Sequence, residues 1–168
     1  MKTQSPYRKV MSILNITPDS FFATSRAENE ADIRARVERM IAEGADIIDI
    51  GGYSTRPGAS DVPTDEEVAR VLLGVRVVRE VAPTVPISID TFRSEVAEAV
   101  LSRYDNIIIN DISAGERDGR MAEVVAKWEA PMVVMHSRGT PKTMQSLTHY
   151  EDVVTEVRDY LAQRAEWL

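Results

Sequence analysis

Apolar positions along the chain fall into two alternating rhythms. Short runs at Lys9 to Leu14, Ala45 to Ile50, Val85 to Ile89, Ile107 to Ile109 and Met132 to Met135 are too brief for helices and rich in β-branched residues. With so little polar alternation they suit parallel strands buried on both faces. Between them, apolar residues recur at helical spacing: Ile33, Val37, Met40 and Ile41; then Val68, Val71, Leu72, Val75 and Val78. The same spacing returns at Val96, Val100 and Leu101, and again at Met121, Val124, Val125 and Trp128. A last helix is predicted from near Tyr150, burying Val153, Val157, Tyr160 or Leu161, and Leu168.

Punctuation agrees with this reading. Asn29 can cap the first helix, and Gly44 stands just past its end. Thr64 and Glu67 have capping-box spacing for the second, which should stop by Ala82, before Pro83. Five strand-then-helix units in strict alternation imply a parallel sheet in one α/β domain over residues 1–168. Two architectures fit: an open doubly wound sheet, or five βα units of a (β/α)8 TIM barrel. The barrel is favoured, because every strand ends in polar or Gly-rich chemistry and a barrel gathers many strand ends on one rim. Some of Ile13, Ile48, Ile89, Ile109 and Val134 are expected to face the barrel interior.

Composition narrows the class. The chain of 168 residues has 43% hydrophobic content and a net charge of −7, which argues against binding a nucleic-acid backbone. Zero cysteines exclude disulfides and thiolate metal sites and suit a reducing, cytoplasmic setting. The N-terminus lacks the apolar segment of a signal peptide, and no apolar run approaches membrane-spanning length, so no membrane partner is expected.

The strand ends offer Asn15, Gly51-Gly52, Asp90, Asn110-Asp111 and Met135-His136. Asp90 and Asn110 are the informative pair. A carboxylate can accept two hydrogen bonds from an amino-pyrimidine edge, and an amide adds a donor and an acceptor beside it. Either could instead be structural: Asp90 as a helix cap, Asn110 as an amide bonding a loop backbone. Asp46, Asp49, Asp90, Asp111 and His136 could ligate a metal, but their spacing matches no dense metal motif. A Mg2+ ion brought in with a phosphate and held by one or two protein groups fits better. His136 reads as a supporting histidine, since no Ser or Cys nucleophile stands near it with a partner. No GxGxxG or Walker A string occurs. Two loops, Thr17-Pro18-Asp19-Ser20-Phe21 and Ser54-Thr55-Arg56-Pro57, combine turn-forming residues with chemistry. Phe21 and Phe22 in an otherwise polar loop point to a flap closing over an apolar ligand.

These residues resemble a known family. Asn15 to Phe21, N-x-T-P-D-S-F, resembles the first signature of the dihydropteroate synthases, and Gly44 to Ala59, GADIIDIGGYSTRPGA, resembles the second. Ser88 to Phe92, Ile109 to Ile112 and Met135 to Gln145 follow in the family's order. The resemblance implies a (β/α)8 barrel joining 4-aminobenzoate to 6-hydroxymethyl-7,8-dihydropterin pyrophosphate, with Mg2+ as cofactor and pyrophosphate released. It implies that Asp90 and Asn110 bind the pterin, with Ile112 and Met135 packed on its ring. Asn15 would touch the Mg2+-pyrophosphate group. Asp19 and Arg56 would be the catalytic candidates in the two loops, and Phe21, Ser54, Thr55 and Pro57 would shape the aminobenzoate side. The sequence departs from the family at Phe22-Ala23-Thr24-Ser25, where an acidic Gly-rich turn is usual, and at Tyr53, where an acidic residue is common. Five units where the family has eight imply a chain inactive by itself that is either a homo-oligomer with paired edges or a loosely packed state. A pterin-binding methyltransferase domain and a non-catalytic fragment are the alternative readings.

Overall fold

Each of the five apolar runs forms a strand: β1 (Met11–Asn15), β2 (Ile47–Gly51), β3 (Ile87–Asp90), β4 (Ile107–Asp111) and β5 (Met132–Val134). The helices are α1 (Arg26–Glu43), α2 (Thr64–Val81), α3 (Ser94–Leu101), α4 (Met121–Lys127) and α5 (Val153–Trp167). The computed structural model describes residues 8–16, 26–53, 61–139 and 143–168. All four strand pairings are parallel, in the order β1-β2-β3-β4-β5. A doubly wound sheet reverses its strand order at a switch point. Here each strand pairs with the next along the chain, as in a barrel.

Register decides which side chains share a face. Leu14, Ile50, Ile89, Ile109 and Met132 lie in one row, with Ile48, Ile87 and Ile107 in the row below. This face carries the helices: Leu14, Ile48, Ile50, Ile87, Ile89 and Ile109 are fully buried in one cluster with Val71, Val75, Val96, Val100 and Met121. The opposite face carries Ile13, Asp49, Ser88 and Ile108 in one row, then Asn15, Gly51, Asp90, Asn110 and Val133. The expectation that some of five apolar residues face the interior is therefore narrowed to one. Ile48, Ile89 and Ile109 pack under the helices, and Val134, in register with Asp111, shares their side. Of the five residues expected there, Ile13 alone faces away from the helices, and it is 61% exposed. The reason is parity: side chains alternate along a strand, and the polar Asp49, Ser88, Asp90 and Asn110 occupy the other phase.

Helix ends follow local chemistry, with two corrections. Gly44 ends α1 in the left-handed region (φ 97°), where a side chain would be strained. The capping box at α2 does not form: Pro63 precedes the helix and no side chain caps it. Glu67 is instead fully buried and turned toward β3. The first turn of α3 is capped from a distance, Ser94 N donating to Asp118 Oδ2 at 2.7 Å. In α5, Asp152 accepts from the backbone N–H groups of Val154 and Thr155, so the helix starts later than predicted. Val153 is 52% exposed and no residue of α5 is fully buried. This helix rests instead on the loop after β4, through Arg164 Nε donating to the Ala114 carbonyl (2.8 Å) and Tyr160 Oη to Glu116 (3.0 Å). Gly115 (φ 78°) permits that approach, since a Cβ there would lie 2.5 Å from the Trp167 ring. Among the described residues no helix is long and apolar enough to cross a membrane.

Candidate active site

The sheet register brings Asn15, Gly51, Asp90 and Asn110 side by side at the C-terminal ends of β1 to β4, on the face away from the helices. Gly51 is the gap in this row. A Cβ there would lie 3.1 Å from Asn15 Oδ1 and 3.6 Å from Asp90 Oδ2, so its absence leaves a slot between amide and carboxylate. Burial, followed by the charges of Asp49, Glu67 and Asp111, pushes the Asp90 carboxyl up to about 6. No described residue donates a hydrogen bond to it. Since Asp118 caps α3, the capping alternative for Asp90 falls away. Among the described residues the Asn110 side chain bonds no loop backbone; its Nδ2 lies 3.3 and 3.4 Å from the two oxygens of Asp49.

The remaining carboxylates have structural partners. Asp46 accepts from Val10 N at 2.7 Å. Asp111, fully buried, accepts from Ser113 N, Ser113 Oγ and Gly115 N at 2.7 to 2.8 Å, shaping the loop after β4. Among the described residues no three His, Cys, Asp or Glu side chains converge as a metal cage. His136 stacks edge-on against Tyr160, with ring centroids 4.9 Å apart, and lies 6.0 Å from Tyr150. Burial and the bond to Glu116 push the Tyr160 hydroxyl up to about 12. Ile112 is half-buried after β4, and Met135 is 46% exposed after β5.

A second cluster flanks the row and was not foreseen from the sequence. The buried Glu67 accepts from Thr91 Oγ1 and Arg93 Nη1, both at 2.7 Å. Arg93 also donates to the Val62 carbonyl at 2.8 Å, and its guanidinium lies over the rings of Tyr53 (5.0 Å) and Phe92 (5.3 Å). Tyr53 in turn donates to Asp61 at 3.2 Å. Residues on both sides of the second signature loop are thereby tied to the start of α3. Tyr53, the departure from the family pattern, is part of this anchor. Asp19, Phe21, Ser54, Thr55, Arg56 and Pro57 lie outside the described residues. Gly51 was foreseen as a strand end and Asp49 as a possible metal ligand, but neither as the slot and the Asn110 partner that they form here. Their alternation with Ile48 and Ile50 was the available signal, since it puts both on the face of Asp90.

The family described as "Pterin binding enzyme" matches residues 11–168. The chain is 43% identical over 157 residues to the folic acid synthesis protein fol1 of Schizosaccharomyces pombe, covering 93% of this chain and 21% of that protein. It is 40% identical over 157 residues to the dihydropteroate synthase of Synechocystis sp., covering 94% of this chain and 54% of that one. A crystal structure of dihydropteroate synthase from Clostridium difficile in the presence of pteroic acid superposes with a TM-score of 0.82 at 35% identity, covering 94% of this chain and 57% of the other. The Xanthomonas albilineans dihydropteroate synthase with 4-aminobenzoic acid gives 0.75 at 40% identity, covering 93% and 54%. The chain thus spans little more than half of these synthases and a smaller share of the fungal protein. Its sheet is five βα units of their (β/α)8 barrel.

Proposed function

Because the chain belongs to the pterin-binding enzyme family, we propose that its five βα units carry the pterin side of a dihydropteroate synthase site. In this reaction the amine nitrogen of 4-aminobenzoate bonds to the exocyclic carbon of 6-hydroxymethyl-7,8-dihydropterin pyrophosphate. The carbon–oxygen bond to pyrophosphate breaks, pyrophosphate leaves with the electron pair, and the amine gives up a proton to yield 7,8-dihydropteroate. The observation that carries the proposal is the open carboxylate of Asp90 beside the Gly51 slot, with the Asn110 amide next to it. A carboxylate without a protein donor suits an edge of N–H groups. Ile112 and Met135 extend the site with apolar surface for the ring. No protein nucleophile enters the scheme, so the protein's part is positioning and charge stabilisation.

Other roles rest on the signatures. Phe21 and Pro57 line the aminobenzoate side, with Ser54 and Thr55 in the same loop, and Asp19 and Arg56 are the charged groups the loops bring to the reaction. Asn15 presents one neutral amide oxygen beside the slot, with no carboxylate cage around it among the described residues. That set fits a Mg2+ ion that keeps water and phosphate oxygens as most of its ligands. Bound there, the ion would offset the charge of the leaving pyrophosphate. The cysteine-free sequence suits the cytoplasm. Calorimetric titration of pterin pyrophosphate with Mg2+ into the chain tests the assignment: Asp90→Ala should weaken binding by about 2–5 kcal/mol, as truncation of a buried charged partner does. Unchanged affinity would remove Asp90 from the site.

A further inference from the structure

Asp49 belongs to no role assigned so far. It is 5% exposed on the face of Asp90 and Asn110, one row nearer the strand starts, between Ile13 and Ser88 in register. Its contact with Asn110 crosses β3, from β2 to β4, at 3.3 and 3.4 Å. An ionised carboxylate only accepts hydrogen bonds, so the end of the amide facing it is the NH2 end. With the amino group held, the carbonyl oxygen of Asn110 points elsewhere, and no described residue donates to it. Two acceptors without described donors, Asn110 Oδ1 and the Asp90 carboxylate, then stand in adjacent strands at the same level.

We propose that Asp49 is a positioning residue that sets the hydrogen-bonding polarity of the site. By holding the amino group of Asn110 it presents the Asn110 carbonyl beside Asp90, so the site selects a planar heterocycle whose edge carries N–H donors over one carrying carbonyl acceptors. The ligand class rests on the pterin reading; the hold on Asn110 does not. Without Asp49 the amide is free to turn its NH2 group outward and donate to a carbonyl edge, which relaxes the choice.

Two measurements on the full chain separate these statements. In 15N-labelled protein, with the Asn110 side-chain signals assigned by their loss in Asn110→Ala, the NH2 protons should exchange slowly with solvent. Asp49→Ala should speed that exchange about tenfold, as loss of the amino group's hydrogen-bond acceptor implies. The second readout is relative affinity for 6-hydroxymethylpterin and its 2-oxo analogue 6-hydroxymethyllumazine, in which a carbonyl replaces the amino group. Asp49→Asn should narrow the wild-type preference for the amino compound, and should narrow nothing in an Asn110→Ala background. If Asp49→Ala does not fold, Asp49→Asn supplies both readouts. Equal exchange in wild type and variant, or equal narrowing without Asn110, would overturn the proposal. Wild-type chain binding neither heterocycle would overturn the pterin reading and the ligand class, while the amide signals would still decide the hold on Asn110.

Discussion

Asp90 stands under two opposing demands, openness to a ligand and closeness to other carboxylates. Burial and the charges of Asp49, Glu67 and Asp111 raise its folded pKa to about 6 from an ordinary 3.8. The folded chain therefore holds a proton on Asp90 that the unfolded chain has already lost between these values. Stability must fall as pH rises through that window and level off above it. At pH 7 the ionised Asp90 costs roughly 2–3 kcal/mol, so Asp90→Asn should stabilise the chain by up to about that much. Below pH 4 the gain should vanish. Urea unfolding of both proteins from pH 4 to 8 checks this; a gain independent of pH would mean that charge is not the cause. Asp90 and Asn110 were legible from the sequence because each ends an apolar run. Asp49 was legible only as a possible metal ligand, because its partner lies 61 residues away across an intervening strand.

Among the elements, α2 and α3 show why a local pattern can be overruled. Thr64 and Glu67 have the spacing of a capping box, yet the Glu67 carboxylate goes to Thr91 and Arg93. A cap would leave the Arg93 guanidinium without its buried counter-charge. The pair also ties α2 to Val62 and Tyr53 beside the second loop. Arg93→Ala strands a carboxylate that is fully buried, and should cost about 3–5 kcal/mol. Arg93→Lys should recover part of it, since an ammonium can pair with Glu67 but gives up the planar guanidinium's stacking on Tyr53 and Phe92. The midpoint of denaturant unfolding reads both. Helix α5 departed differently: Val153 has helical spacing from Val157 but is 52% exposed, while Tyr160, Arg164 and Trp167 meet the loop after β4 and Leu168 packs against the core as expected.

For the whole molecule, the strand count and order follow from five apolar runs, whereas the faces do not. Periodicity locates a strand but leaves parity to register, and that is why the sequence could not say which of Ile13, Ile48, Ile89, Ile109 and Val134 face away from the helices. The face away from the helices exposes Ile13 (61%), Val133 (43%) and Met11 (36%), between edge strands β1 and β5. Exposed apolar surface flanked by unpaired strand edges favours association. Light scattering should show the chain self-associating with rising concentration, and Ile13→Lys with Val133→Lys should shift it toward monomer. Five strands do not close a barrel, so the chain by itself is expected to form no dihydropteroate in a turnover assay.

The strand order has a consequence for how the protein is made. Each described strand after β1 lies beside the one translated just before it, so none of these four pairings waits for a distant segment. A nascent chain can add β2 to β1, then β3 to β2, covering each with its helix while the next unit is still inside the ribosome. Synthesis would then assemble the site from one side to the other. Asn15 and Gly51 are set first, Asp90 enters against them, and Asn110 locks onto an Asp49 already in place.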